Sequence, residues 1–223
     1  MSYKLKSKWL SSAKYPRKSP YAMTPQGIVV HNTAGDASAT EEAAAMVGNS
    51  SAVSFHVVID EEYAVECIPF SRNAFHAGDG AQGYANRNLI GIEIARSAEE
   101  SGDRFRRAEE NAALYIAHVC VQYGWSSEQL HQHNWYSATE CPHRTKAHWS
   151  DFLAKVDENI STIKAAGEDH PAPSVPQVKL IALGKALDIP AENRNGTVYA
   201  PVRALCEALG FDVEWKDGEV MIA

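Results

Sequence analysis

GIVVH, residues Gly27 to His31, is a short run of mainly β-branched side chains that opens just after Pro25 and closes on a histidine. Its continuous apolar character is that of a strand covered on both faces, as strands inside an α/β sheet read. LIGIEIAR, Leu89 to Arg96, has the same character, with one carboxylate, Glu93, set inside it. Between the two, VSFHVVID (Val53 to Asp60) and YAVECIP (Tyr63 to Pro69) are joined by Glu61-Glu62 and read as a hairpin. Ser38 followed by Glu41 has the capping-box pattern, and the Ala-rich stretch after it predicts a helix through Met46 that Gly48-Asn49 ends. Apolar residues from Ala108 to Val121 recur at helical spacing over Arg104 to Tyr123, with Gly124 as a stop, and a further helix is predicted over Lys146 to Ala165. Strands alternating with helices around one hairpin predict an α/β fold, a mixed central β-sheet flanked by helices.

The chain has 223 residues, enough for one substantial core and a small second one. Lys and Arg total 21 against 28 Asp and Glu, a net charge of -7, which argues against nucleic acid as a partner. Lys4, Lys6, Lys8, Lys14, Arg17 and Lys18 form the one basic concentration and read as a solvated edge. No apolar run approaches the ~20 residues needed to span a bilayer, so membrane insertion is not expected. The basic N-terminal stretch lacks an apolar segment after it, so it does not read as a secretory signal, and synthesis in the cytoplasm is the expectation. The four cysteines are scattered; Cys67 and Cys120 lie in apolar segments and read as small buried side chains.

HAGDGAQGYANRN, His76 to Asn88, carries Gly78, Gly80 and Gly83 in a GxGxxG arrangement. A dinucleotide site needs those glycines between a strand and a helix; here a strand is expected to follow, so the segment reads as a loop. Residues 166–177, with Pro171, Pro173 and Pro176, read as an extended linker. Residues 1–165 then form the main domain, and 178–223 a small α+β module whose core is marginal alone.

The histidines matter through their placement. His31 ends a buried strand, while His131, His133, Cys141 and His143 crowd one turn-rich segment, HQHNWYSATECPH. Zinc takes N and S ligands at tetrahedral angles, and a catalytic site keeps three protein ligands and one open position. His31, His133 and Cys141 can supply such a set, with His131 as the competing ligand.

GIVVHNTA, VSFHVVID, NAFHAGDG, ANRNLIGIEIARS and QHNWYSATECPHRT follow one another in the order found in the zinc-dependent N-acetylmuramoyl-L-alanine amidases, and residues 20–160 resemble that family. The likeness is to the branch shared by phage lysozyme-type amidases, endolysins and peptidoglycan recognition proteins. It implies one catalytic Zn2+ held by His31, His133 and Cys141, with His133 preferred to His131 by spacing. It also implies peptidoglycan as substrate, cleaved at the muramoyl–L-alanine amide, at the cell wall after release. Cys141 is usually missing from non-catalytic recognition members, so it favours a hydrolase over a binding protein; a wall-recycling anhydro-muramyl amidase is the neighbouring alternative.

Glu93 matches the family glutamate beside the reacting water, and a lone carboxylate in an apolar strand is costly unless it has a task. Two positions depart from the family. Phe55 stands where some members have a catalytic tyrosine, and Thr139 stands where many have lysine. Glu93 is therefore expected to carry the acid–base work, with Thr139 and His76 as donors to the oxyanion. Phe75, Asp79, Asn86 and Trp135 are expected to line the substrate groove. NGTVYAPVRALCEALGFDVEW resembles the small repeat named for the N-terminal domain of copper amine oxidases; it contains no histidine, so no copper is inferred. Wall attachment or self-association is the expectation for that module, with a turn at Asn195-Gly196, a helix over Val202 to Leu209 and a hairpin turning at Lys216-Asp217-Gly218.

Overall fold

In a computed structural model of the chain, the described residues are 3–166 together with 180–182, 185–187, 192–194, 197–199, 206, 209, 213–216 and 219–222. The chain divides into two compact units, Met1–Ala172 and Pro173–Ala223. The first contains strands β1 (Lys4–Ser7), β2 (Gly27–Asn32), β3 (Val57–Ile59), β4 (Tyr63–Glu66), β5 (Leu89–Ile94) and β6 (Leu130–Gln132). Its helices are α1 (Tyr15–Lys18), α2 (Ala39–Gly48), α3 (Tyr84–Asn88), α4 (Asp103–Tyr123) and α5 (Trp149–Ala166). The strands form one mixed sheet in the order β1-β4-β3-β5-β2-β6, in which β3 and β4 are antiparallel and every other neighbouring pair is parallel. The fold is the α/β class expected.

Side chains alternate across a strand, and that alternation decides what each face becomes. Ile28 and Val30 of β2, Val57 and Ile59 of β3, and Ile90, Ile92 and Ile94 of β5 pack in one core with α4 and α5. On the opposite face Ala39, Ala43 and Met46 of α2 cover Phe55, Val58, Val65 and Cys67. Val29 and Leu89 pack there with Ala77 and Ala85 of the glycine-rich segment. The residues left on this second face of β2 and β5 are Gly27, His31, Gly91 and Glu93.

The helix boundaries follow their expected signals. Ser38 and Glu41 make both hydrogen bonds of the capping box at the start of α2, and Gly124 ends α4 in the left-handed region, at φ 69°. α5 is preceded by a short 3-10 turn, Thr145–His148.

Three readings need correction, and two strands carry no signal in the sequence. The run from Val53 is not a strand before Val57: Ser54 N donates to Phe75 O, and Ser54 Oγ donates to Lys18 O and accepts from Phe75 N, so these residues bind loops instead of a ladder. A five-residue helix, α3, lies between the glycines and β5. The basic N-terminal stretch is not simply a solvated edge: Lys14 Nζ donates to the carbonyls of Val47, Gly48 and Asn49, and buried Lys18 donates to Asn49 Oδ1 and Val53 O. The Lys14 ammonium meets the orphan carbonyls at the end of α2 and complements its dipole, and Lys18 binds the segment that follows. Finally, β1 and β6 complete the two edges of the sheet, and neither carries an apolar pattern that would announce it.

In the second unit, β7 (Leu180–Ala182) pairs antiparallel with β8 (Lys185–Leu187), β9 (Glu192–Arg194) with β10 (Thr197–Tyr199), and β11 (Val213–Lys216) with β12 (Glu219–Ile222). Arg194 pairs with Thr197 and Lys216 with Glu219, while the turns read at Asn195-Gly196 and Lys216-Asp217-Gly218 fall, apart from Lys216, outside the described residues. The linker reading falls on residues outside the described ones from 167 to 177, as does the helix read over Val202 to Leu209 apart from Cys206 and Leu209. Among the described residues, no helix is long and apolar enough to cross a membrane.

One buried carboxyl makes stability depend on pH. Glu66 of β4 accepts a hydrogen bond from Tyr115 Oη at 2.9 Å, and burial pushes its pKa from 4.5 up to about 7. The folded state then holds this proton more tightly than the unfolded state, so Glu66 weakens the fold as pH rises through the window from 4.5 to about 7. Glu66→Gln is expected to be more stable than the parent at pH 8, by about 1–3 kcal/mol, with the difference vanishing near pH 4. Urea midpoints at the two pH values, in the presence of chelator, check this.

Candidate active site

His31 is the fifth residue of β2 and pairs in register with Glu93, the fifth of β5, while Val58 of β3 flanks Glu93 on the other side. These residues lie near the carboxyl ends of parallel strands, the end at which open α/β sheets place their ligands. His133 follows directly on β6, whose pairing with β2 brings it to His31. Cys141 returns to the same place because Asn32 anchors its segment. Asn32 Oδ1 accepts from Arg144 N at 2.9 Å and from Thr145 N at 3.2 Å, and Asn32 N donates to Cys141 Sγ at 3.3 Å.

His31, His133 and Cys141 therefore meet, with one donor atom from each within 4.8 Å of the others. His31 Nδ1 is 3.1 Å from His133 Nδ1 and 3.8 Å from Cys141 Sγ. With metal–nitrogen bonds of about 2.0–2.1 Å and metal–sulfur bonds of about 2.3 Å, a tetrahedral centre separates two nitrogens by roughly 3.3 Å and nitrogen from sulfur by roughly 3.6 Å. The donor set fits a divalent ion such as zinc. His133 Nε2 lies 3.0 Å from Ser137 Oγ, and the ring also bonds the Ala77 backbone. His31 Nε2 faces His76. Both rings thus turn Nδ1 toward the same point, and two lone pairs 3.1 Å apart need a cation or a proton between them.

The protonation directions agree. Burial, then the neighbouring histidines, holds His31 well below the ordinary imidazole range, and burial also lowers His133. Burial and then the Glu93 charge push the Cys141 thiol up to about 12, with the Asn32 N–H pulling the other way. Glu93 is raised to about 8 by burial and then by Glu42, and its Oε2 is buried without a hydrogen-bond partner among the described residues. Neutral imidazoles are the form a metal binds, and a cation supplies the charge that thiol and carboxyl here lack.

The competing histidine is engaged elsewhere: His131 Nδ1 lies 2.8 Å from Tyr136 Oη. Thr139 Oγ1 accepts from Cys141 N at 3.3 Å, which leaves its hydroxyl proton free to donate. His76 differs from the expected oxyanion donor. Its Nε2 lies 3.1 Å from Leu89 O and its Nδ1 3.0 Å from His31 Nε2, so neither ring nitrogen is left for an oxyanion. Asp79 and Asn86, expected as groove contacts, are bonded within their own segment. Asp79 accepts from Ala85 N at 2.7 Å and from Asn86 N at 3.3 Å, and Asn86 Oδ1 accepts from His76 N and Ala77 N, both at 2.8 Å. Their polar atoms fold the glycine-rich segment. Phe75 is half-buried, and Trp135 is exposed, edge-on to His131 and Trp149. Phe55, in the position of the family tyrosine, is buried beneath α2.

Sequence reasoning passed over Asn32, Ser137 and Gly91. Nothing in the pattern marks Asn32 or Ser137, but a glycine inside a strand is a sign of close approach. A Cβ at Gly91 would fall 2.5 Å from His76 Cγ.

The sequence model of a family described as N-acetylmuramoyl-L-alanine amidase matches residues 21–144. The N-acetylmuramoyl-L-alanine amidase XlyB of Bacillus subtilis is 37% identical over 163 residues, covering 72% of this chain and 51% of its own length. The amidase CwlA of the same organism is 34% identical over 165 residues, covering 73% and 60%. The chain thus spans between half and two thirds of the length of these curated relatives. Among solved structures, that of PlyL superposes with TM-score 0.66 at 39% identity, over 69% of this chain and 97% of PlyL. The catalytic domain of XlyA gives 0.62 at 31% identity, over 69% and 99%.

The geometry predicts how metal binding responds to substitution. The parent and His131→Ala are each expected to take up one equivalent of zinc, because His131 is bonded to Tyr136. His133→Ala is expected to lose most of that affinity. Titration of metal-free protein against a chromophoric chelator checks all three.

Proposed function

The chain belongs to the N-acetylmuramoyl-L-alanine amidase family, and from that premise we propose that it hydrolyses the amide between N-acetylmuramic acid and the L-alanine of the stem peptide in peptidoglycan. The observation that carries the proposal is the convergence of His31, His133 and Cys141 on one point beside the strand that bears Glu93. His31 Nδ1, His133 Nδ1 and Cys141 Sγ are the atoms that would hold zinc. When bound, zinc supplies Lewis acidity toward a carbonyl oxygen and lowers the pKa of water.

The chain's own groups then divide the work. Glu93 takes a proton from the water that attacks the lactyl carbonyl carbon. It returns that proton to the alanine nitrogen as the C–N bond breaks, leaving a lactyl carboxylate and a free amino terminus. Burial, and then Glu42, raises the Glu93 carboxyl to about 8 in the metal-free chain, which favours its part as proton donor, and a bound cation would favour the carboxylate that the base half needs. Thr139, with its hydroxyl proton free, donates to the oxyanion. Phe55 has no proton to contribute, so Glu93 stands alone as acid and base. Trp135, exposed beside the metal-ligand segment, offers an apolar face to sugar or stem peptide.

Residues 178–223 form, on this reading, a separate module that attaches the enzyme to the wall, with self-association as its other use. Deletion of residues 173–223 is expected to weaken sedimentation with intact walls while leaving hydrolysis of a soluble muropeptide within about twofold of the parent.

Incubation of the zinc-loaded protein with intact peptidoglycan is expected to release new L-alanine amino termini without new reducing sugar ends. Glu93→Gln is expected to bind one equivalent of zinc as the parent does and to lose about 10²–10⁴-fold in rate. Wall binding without release of amino termini would instead identify a recognition protein, and activity on anhydro-muropeptides alone would identify a recycling enzyme.

A further inference from the structure

Leu89 O, His76 and His31 form a chain in which each hydrogen-bond direction is set by the one before it. A carbonyl oxygen only accepts, so the contact of 3.1 Å between Leu89 O and His76 Nε2 places a hydrogen on that nitrogen. Neutral His76 then offers a lone pair at Nδ1. His31 Nε2, 3.0 Å away, must carry the hydrogen of the second bond. The proton of His31 is thereby fixed on Nε2, and Nδ1 is left with a lone pair facing His133 and Cys141.

The place of the His76 ring is itself built. It lies across the backbone of β5 where residue 91 has no side chain: a Cβ there would fall 2.5 Å from His76 Cγ and 2.9 Å from Nδ1. Gly91 N donates to His56 Nδ1 at 2.9 Å, and His56 stands edge-on to His76 with ring centroids 6.0 Å apart. The His31 and His76 rings are nearly perpendicular, at 85°. The backbone that carries His76 is held by Asn86, whose Oδ1 accepts from both His76 N and Ala77 N.

We propose that His76 is a positioning residue that locks His31 in the Nε2-protonated tautomer, presenting the Nδ1 lone pair to the metal, from a slot that exists because residue 91 is glycine. The inference rests on the proposed zinc site, and it assigns His76 a task at His31 instead of at the substrate. Without an acceptor at residue 76, the buried Nε2–H of His31 has no partner. Moving that proton to Nδ1, where it bonds His133 Nδ1, becomes the favoured arrangement, and the metal must then displace it.

His76→Phe keeps the ring and removes both nitrogens, while His76→Gln offers one acceptor and one donor in place of them. Two measurements need no hydrolysis: long-range proton–nitrogen NMR of the imidazoles in metal-free protein, and zinc affinity by chelator competition. The parent is expected to show His31 protonated at Nε2. His76→Phe is expected to show it protonated at Nδ1 and to bind zinc about 10–100-fold more weakly. His76→Gln should recover most of the affinity, and Gly91→Ala, which displaces the ring, should resemble His76→Phe. An Nδ1-protonated His31 in the metal-free parent would overturn the proposal, whether or not the variants fold. So would a folded His76→Phe with unchanged zinc affinity, or a His76→Gln as weak as His76→Phe. A parent that shows the predicted tautomer and affinity losses but cleaves no amide would leave the proposal standing while the amidase reading fell.

Discussion

Six consecutive residues of β2 are buried, and their parallel register with β5 sets His31 beside Glu93. That pairing requires both strands to be covered on both faces, and a strand covered on both faces tolerates a polar side chain only where something satisfies it. His31 is met by His76 on one ring edge and by His133 and Cys141 on the other. Glu93 keeps one oxygen without a partner among the described residues. A register slip of one residue would carry both groups to the α4 and α5 face and bury them in hydrocarbon. The apolar alternation that forms the main core is thus the same fact that aims the chemistry.

The two faces of the sheet have different tasks. α4 and α5 cover one with a continuous apolar core. On the other, α2 covers the β3–β4 side, and the glycine-rich segment covers the first residues of β2 and β5. The polar residues of that segment hold it in shape: Asp79 fixes the start of α3, and Asn86 receives two backbone amides. At the far end of α2, Lys14 takes up carbonyls that the helix leaves open, and Lys18 binds Asn49 Oδ1 and Val53 O just beyond it. Each cover is tied down by charged or amide side chains, while the site residues remain grouped at the strand ends.

The central strands and the long helices were legible because burial writes itself as apolar spacing. GIVVH, LIGIEIAR and the run through α4 needed no further information. The metal ligands are legible only with the family likeness, because His131 and His133 are equal candidates by residue type; in the fold His133 meets His31 and Cys141, while His131 bonds Tyr136. His76 reads as an oxyanion donor, and Asp79 and Asn86 as groove contacts, because polar residues in a glycine-rich loop look available. Their hydrogen-bond partners lie up to 45 residues away, as between His76 and His31, and no local pattern encodes that. The edge strands β1 and β6 escaped for the opposite reason: short and partly exposed, they carry no apolar signature.

The central claim is that two histidines and one cysteine, assembled by the sheet and by the Asn32 anchor, make a three-ligand metal centre with a fourth position open to the reaction. Zinc-edge X-ray absorption of the loaded protein tests it most directly. The account predicts one sulfur at about 2.3 Å and three nitrogen or oxygen neighbours at about 2.0–2.1 Å. A first shell without sulfur, or with two sulfurs, would contradict it.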